Sequence, residues 1–353
     1  MSSCNLRIEW ERKDRTFVSG AQVQGRVVVT PEKSTNCKAL TIELAWETHG
    51  RGNKDQAVLQ CSVERNQVWE GGQTYTYPFA FPIPHQPLTY HGELLNVDYY
   101  VRARADLPWA LDPKTQEDFL VEAGPGSREA YLAEALNAGA TNKSSGCVLQ
   151  VLGWMFLLLF VIPLLMLFAI ILPILLIILS IQFILRRLAE GKVGKVTVAI
   201  DAPVIVSRKA QSAQALDWAR KMTPGQDKPE SQTYVISPGQ PFGLGLEFRP
   251  RMDVSITKLV AVLHGWERCR SGSGSNAKTH THDLYKEELL LAEDLCFRAG
   301  ELTQRVVQVP VPNLDAFSFE ASDNHLEWQL TVHFDIPGWP DWKQDYKLRM
   351  VPK

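Results

Sequence analysis

The sequence predicts a mainly β protein: two immunoglobulin-like β-sandwich domains in tandem, with a transmembrane or intramembrane α-helical hairpin between them. Three observations predict it. Short runs rich in Val, Ile, Thr and aromatic residues alternate with period two and are punctuated by Gly and Pro, the pattern of antiparallel sandwiches. Four blocks recur in the same order in the two halves of the chain. Between the halves lies a run of 38 residues, Val148 to Leu185, without a single charge.

The 353 residues suffice for two ordinary domains and a further segment. A formal net charge of −2 gives no basic field for nucleic acid, so a nucleic-acid partner is not expected. The six cysteines (Cys4, Cys37, Cys61, Cys147, Cys269, Cys296) form no CxxC pair, which disfavours a zinc site or a redox dithiol. The opening MSSCNLRIEW has no basic stretch followed by an apolar one, so no cleaved secretory signal is read, and free thiols are expected.

The repeat fixes the strands. Gly20, after FVS, precedes Leu40 of KALTIELAWETHG by 20 residues, and Gly239, after VISP, precedes Leu259 of TKLVAVLHGWE by the same 20. Gly72 leads to Pro82-Ile83-Pro84 and Gly300 to Pro310-Val311-Pro312, each ten residues on. VDYYVRARADLPW (97–109) aligns with LEWQLTVHFDIPGW (326–339), setting Asp98 against Glu327, Tyr99 against Trp328 and Val101 against Leu330. EDFLVE (117–122) and QDYKLRM (344–350) supply a last strand to each half. Alternation points Leu40, Ile42 and Leu44 inward, with Thr41 and Glu43 outward.

Between the copies, SREAYLAEALNAG (127–139) predicts a short helix capped by Ser127, with Tyr131, Leu132, Ala135 and Leu136 on one face. The uncharged run is too long for one crossing: as a straight helix it spans about 57 Å, nearly twice the ~30 Å hydrocarbon core. Two helices joined by a turn fit better, and Pro163 or Pro173 could mark that turn or bend a helix. Trp154 suits the interfacial belt, and Arg186, Arg187, Lys192 and Lys195 mark a cytoplasmic flank. The upstream flank is weaker, Arg128 and Lys143 against Glu129 and Glu134, and that asymmetry read alone favours a single pass with the first half outside. The absent signal favours a hairpin with both sandwiches cytoplasmic, hence an integral membrane location. KVTVAIDAPVIV (195–206) reads as strand, and residues 208–231 as a polar linker. The expected organisation is a first sandwich over 1–124, a helix and linker over 125–146, the hairpin over 147–188, a strand and linker over 189–230, and a second sandwich over 231–353.

The order FVSG, a Gly-containing strand, KALTIELAWETHG, Pro-x-Pro and YHGELLNVDYYVRARAD resembles the arrestin-like proteins. The resemblance covers about residues 5–122 and 231–353. It implies tandem arrestin-like β-sandwich domains and a scaffold that binds other proteins, integral membrane proteins among them, and does no chemistry. The uncharged insert departs from the family, whose domains are joined by a short linker. With it, the expected function is a membrane-anchored adaptor whose partners are the lipid bilayer and other proteins. An accessory subunit of a membrane transport or envelope complex is the alternative, and an enzyme with an unrecognised site a third. The family's phosphate-sensing basic residues do not map onto this chain; Arg12, Lys13 and Arg15 read as a solvated turn.

Candidate chemistry is sparse, and no catalytic residue, cofactor or metal ligand is assigned. His280 and His282, two apart on a strand, could share a metal with Asp283 and Cys269, but the neighbouring SGSGSNAK reads as a solvated loop. No GxSxG elbow and no GxxxxGK[ST] loop occurs. The tryptophans read mostly as core.

Overall fold

The computed structural model describes residues 4–108, 112–137, 188, 191–206 and 232–353. The first half builds two sheets. One is three-stranded in the order β1 (Cys4–Trp10), β3 (Gln22–Pro31), β6 (Tyr75–Pro82). The other has the order β2 (Thr16–Val18), β9 (Lys114–Glu122), β8 (Leu95–Asp106), β4 (Thr35–Gly50), β5 (Gln56–Trp69), with β7 (Tyr90–His91) also on β8. The helix α1 (Ser127–Asn137) follows.

The second half repeats this wiring strand for strand. Its small sheet runs β10 (Val196–Asp201), β13 (Phe242–Phe248), β16 (Thr303–Val309). Its large sheet runs β11 (Val204–Val206), β12 (Gln232–Ile236), β19 (Trp342–Met350), β18 (Asn324–Asp335), β14 (Val254–Ser271), β15 (Lys278–Phe297), with β17 (Phe319–Glu320) on β18. Even the one parallel pairing recurs, β2 with β9 and β12 with β19. Only β11 lacks a counterpart.

The repeat holds residue by residue. Trp46 lies opposite Tyr99 on the β4–β8 ladder, and Gly265 lies opposite Trp328 on the β14–β18 ladder. Tyr99 and Trp328 are both fully buried, and both spend their one polar hydrogen in the same way. Tyr99 Oη donates to the Pro87 carbonyl at 2.8 Å, and Trp328 Nε1 to the Ala316 carbonyl at 2.9 Å, each twelve residues back. Burying an aromatic ring with a polar tip requires such a partner. The turns repeat as well: Ala21 N–H donates to Val18 O around Gly20 (φ 82°), and Gln240 N–H to Ser237 O around Gly239 (φ 67°). A type II turn needs positive φ at that position, which only glycine adopts without strain.

Leu40, Ile42 and Leu44 are buried as alternation requires, within a core that Trp69, Tyr99 and Phe119 fill. Leu244, Leu246, Phe248, Trp328 and Phe334 fill the second. KVTVAIDAPVIV is strand as expected, and β10 completes the second small sheet. Ser127 is the first helical residue and not a cap: its hydroxyl lies 2.5 Å from that of Ser19 and accepts from Gly124 N–H. Tyr131 and Ala135 are buried while Leu136 is exposed.

The expected helical hairpin over 147–188 is corrected. Among the described residues no helix is long and apolar enough to cross a membrane. The α1 helix, with 11 residues, reaches about 16 Å against a ~30 Å hydrocarbon core. The fold class is mainly β with two sandwich-like sheet groups, and the integral membrane location inferred from one charge-free run is corrected on the same finding, that no described helix could cross a membrane. Val148, Trp154, Pro163, Pro173, Leu185, Arg186 and Arg187 lie outside the described residues.

The shared donor position yields a comparison. Tyr99→Phe leaves the Pro87 carbonyl without its donor and should cost roughly 1–3 kcal/mol. Trp328→Phe loses ring volume as well as the bond and should cost more. Chemical denaturation of the two variants against the parent chain measures both.

Candidate functional site

Among the described residues, buried polar groups from both sandwiches gather at the seam between them. The tight turn between β4 and β5 (residues 51–55) and the connection between β7 and β8 (residues 92–94) reach it from the first sandwich. The β14–β15 turn and the β17–β18 connection reach it from the second.

Glu267 on β14 is completely buried. Its carboxylate accepts from Tyr90 Oη (2.8 Å), Glu93 N–H (3.2 Å) and Leu94 N–H (2.6 Å), all across the seam. A buried charge survives only when donors replace its water. Burial and the neighbouring Glu267 push the Tyr90 phenol up, which keeps its proton in place as a donor. Gly92 has to be glycine here, because a Cβ would overlap the Glu267 carboxylate.

A second carboxylate works in the opposite direction. Asp55, from the first sandwich, accepts from Ser322 N–H (3.2 Å) and Asp323 N–H (3.1 Å) of the second. Asn324, buried at the start of β18, donates to Asp55 Oδ2 (2.8 Å) and the Asn53 carbonyl (2.6 Å). The two hairpin turns also clasp each other: Asn53 N–H donates to Arg270 O, Asn53 Nδ2 to Gly272 O, and Gly272 N–H to Asn53 Oδ1.

Apolar contacts fill the seam between these polar pairs. Leu95, Val97, Cys269 and Leu326 form a buried cluster, and Trp46 meets Phe319 edge-on at 5.9 Å. Burial pushes the Cys269 thiol up to about 11, so it is an inert packing group whose Sγ faces the Leu94 carbonyl. On one flank α1 spans the two halves: Arg128 donates to Ser237 Oγ and Pro352 O, Glu134 pairs with Arg349, and Tyr131 packs on Phe317. A small hollow there, about 230 Å³ and open to solvent, is walled by Pro87, Leu88, Tyr90, Tyr131, Phe317 and Phe319.

Just outside the seam, the outer face of β4 and β8 carries a charged group around Glu47. Lys54 and Arg102 both bind this buried carboxylate, and His49 lies 3.2 Å from it. His91 pairs with Asp98 at 2.6 Å. Every carboxylate of this set has a partner within the network.

The residues singled out by sequence are dispersed. Lys192 sits over the Trp339 ring at 4.9 Å, and Lys195 just precedes β10. His280 lies opposite Cys269 on the β14–β15 ladder, but its Nε2 meets Ser271 Oγ. Asp283 turns to His264, so these four do not converge. Among the described residues no group of three such ligands could hold a metal ion. Arg12 pairs with Asp14, and Arg15 with Glu117. Sequence reasoning missed Asn53, Asp55, Glu267 and Asn324. Glu267 carried a signal: it continues the inward parity of Leu259, Ala261 and Leu263, where a charge is out of place.

The open edges of the large sheets are the other exposed feature. Among the described residues, β5 and β15 each pair on one side only. On β15, Leu290 and Leu295 are exposed.

The Arrestin (or S-antigen), N-terminal domain family matches residues 53–123, from the seam turn through β9. Over that stretch the chain is similar to the arrestin N-terminal domain. No curated protein matches it. Among solved structures, the sporulation control protein Spo0M from Bacillus subtilis is similar over 98% of this chain and 91% of its own, at 11% identity and a TM-score of 0.32. The arrestin-like match spans β5 to β9 and so includes the 92–94 connection that receives Glu267. An arrestin-like fold goes with an adaptor or scaffold kind of role and with binding to other proteins.

Two outcomes test this geometry. Glu267→Ala leaves three part-buried donors without their acceptor and should weaken the seam by roughly 1–3 kcal/mol. Faster amide hydrogen exchange at Glu93 and Leu94 should report it. The second concerns acid. Burial works to raise the Glu47 carboxyl, while the Lys54 hydrogen bond and the Arg102 charge outweigh it and hold it below the ordinary glutamate range. A depressed folded value contributes stability above the unfolded value of about 4.3, and that contribution disappears as pH falls through the folded value. The stability of Glu47→Gln should therefore fall less steeply than that of the parent below about pH 4.3.

Proposed function

We propose that this arrestin-like chain is a non-catalytic adaptor that holds two sandwiches in fixed relation and binds protein segments along its open sheet edges. The observation that carries this reading is the division of polar groups between the seam and the edges. At the seam, the buried carboxylates have their donors inside the chain, so nothing there is left to act on a substrate. At the edge strand β15, 20 residues long, the outward row of N–H and C=O groups is unpaired among the described residues. Such an edge accepts an extended segment as an added strand, with backbone hydrogen bonds giving affinity and alternate side chains giving specificity.

The chemistry of the edge selects its partner. Along β15 the exposed Leu290 is flanked in sequence by Glu288, which pairs with Lys258 of the neighbouring strand, and by Glu293 and Asp294, with Lys286 a further counter-charge. An extended segment that alternates apolar and basic residues fits this row. Natural edges of this length are usually protected by charge; here the charge is of mostly one sign, which repels acidic strands and attracts basic ones.

Affinity co-purification of the full chain tests the proposal. A stoichiometric protein partner is expected, lost on Leu290→Lys with Glu288→Lys while circular dichroism stays unchanged. Retention of that partner by the double variant would move the site elsewhere, and absence of any stoichiometric protein partner would sink the adaptor reading.

A further inference from the structure

The two large sheets end on edge strands of opposite electrical character. β15 carries Glu287, Glu288, Glu293 and Asp294 in its second half, a row whose charge works against pairing with its own copy. β5 carries one acid beside one base, Glu64 and Arg65, and neither the lysine nor the proline that usually guards an edge. Its outward face is apolar instead: Val58, Val63 and Val68 are 55%, 40% and 69% exposed. On a regular strand, a spacing of five residues would send these valines to alternate faces. Two irregularities bring them to one face. A bulge at Leu59 shifts the register against β4 between Leu44 and Ala45, and Asn66 adopts a left-handed backbone (φ 54°). Leu59 then packs on the first core and Trp69 is fully buried, so Val58 and Val68 beside them point outward. Val63 points outward with Thr41, its ladder partner on β4.

We infer that β5 pairs with β5 of a second copy of this chain, antiparallel about a two-fold axis through Val63. The spacing of the valines selects this occupant. In such a pair, residues equally far before and after the axis face each other. Val63 therefore meets Val63 of the second copy, and Val58 meets Val68. A row with equal intervals on either side of its centre is complementary to its own reverse, as an isologous contact requires. The charges agree with it: Glu64 faces Ser62 of the second copy and Arg65 faces Cys61, so no like charges oppose. The Leu59 bulge falls opposite Gln67, beside Asn66 of the second copy, so the kinks of the two strands lie together and leave the run 60–65 regular. Among the described residues β5 pairs with β4 alone, so its other side is open to the added ladder. The contact is closed and leaves neither β5 edge free. One added ladder buries less than a standard interface of ~1,600 Å², so the dimer is a reversible one. The adaptor reading places its segment on β15, in the other large sheet, so the two contacts stand or fall separately.

Light scattering of the full chain over a range of concentrations tests the inference. The mass should rise to twice that of the chain and level off there. Val63→Lys sets two like charges on the axis and should weaken the dimer roughly tenfold or more. Val68→Lys, at the most exposed of the three valines, should weaken it too and serves if the first variant fails to fold. Leu290→Lys, on β15, should leave the dimer unchanged. Cross-linking with diamide reads the register. With the exposed Cys61 and Cys296 both replaced by serine, Val63→Cys should give a disulfide-linked dimer on a non-reducing gel. Native Cys61, with only Cys296→Ser, should not, because it faces Arg65 of the second copy. A chain that stays monomeric at every concentration overturns the inference, and so does a mass that climbs past the dimer, the sign of an open heterologous contact. A dimer that survives both lysine variants on β5, that is lost on Leu290→Lys, or that Cys61 cross-links as readily as Val63→Cys overturns it as well.

Discussion

A carboxylate withdrawn from water must recover its lost hydration from the protein, and Glu267 recovers it entirely from the other sandwich. Two backbone amides and one phenol, from Tyr90 to Leu94, converge on it. This requirement sets the relative placement of the two halves more sharply than apolar burial does. Hydrophobic contact between Leu95, Val97, Cys269 and Leu326 is non-directional and would tolerate small sliding. A hydrogen bond of 2.6 Å to a backbone amide does not, because its energy falls steeply with angle. The Gly92 position, closed to any side chain, and the edge-on packing of Trp46 against Phe319 follow from the same placement.

The second sandwich reproduces the first down to single hydrogen bonds, yet the residues that close the seam differ between copies. The Tyr99 and Trp328 donors occupy one equivalent position and serve one purpose, holding the approach to β7 or β17 against the core. At the seam, the position on β4 that matches Glu267 is Thr48, and the carboxylate comes instead from Asp55 in the turn that follows. The same pair of amides is thus captured in both directions from different places in the repeat. A core position is constrained by volume on every side and keeps its solution. A loop amide needs only an acceptor within reach, so the sequence can supply it from more than one residue.

Much of the fold was legible in the residues. Period-two alternation placed Leu40, Ile42 and Leu44 inward, and the turn glycines at 20 and 239 located equivalent strand entries that the structure bears out. The alignment of Tyr99 with Trp328 agrees with the ladder registers. What misled was a reading from composition alone: a charge-free run implied a hairpin that no described helix supports. The seam was not legible because its residues lie in connections, where no period exists, and because partners such as Asn53 and Asp323 are 270 residues apart. Glu267 and Cys269 were the exception, since both continue the inward parity of β14 beyond the point where the sandwich core ends. A charged residue on a core-facing stripe implies a second body that covers it.

The same parity argument separates binding from chemistry. A catalytic carboxylate or histidine has to keep a lone pair or proton for its substrate. In this chain Glu267 and Asp55 are engaged by amides, Glu47 by Lys54 and Arg102, and His91 by Asp98. Among the described residues, a row of outward backbone groups lies unpaired along the edge strand β15. Backbone groups discriminate little by themselves, and selectivity then passes to the side chains that flank them: the exposed Leu290 between Glu288 and Glu293. In a sheet of this kind the buried side-chain charges fix the two halves against each other, while an edge strand keeps its outward backbone groups for whatever pairs with it.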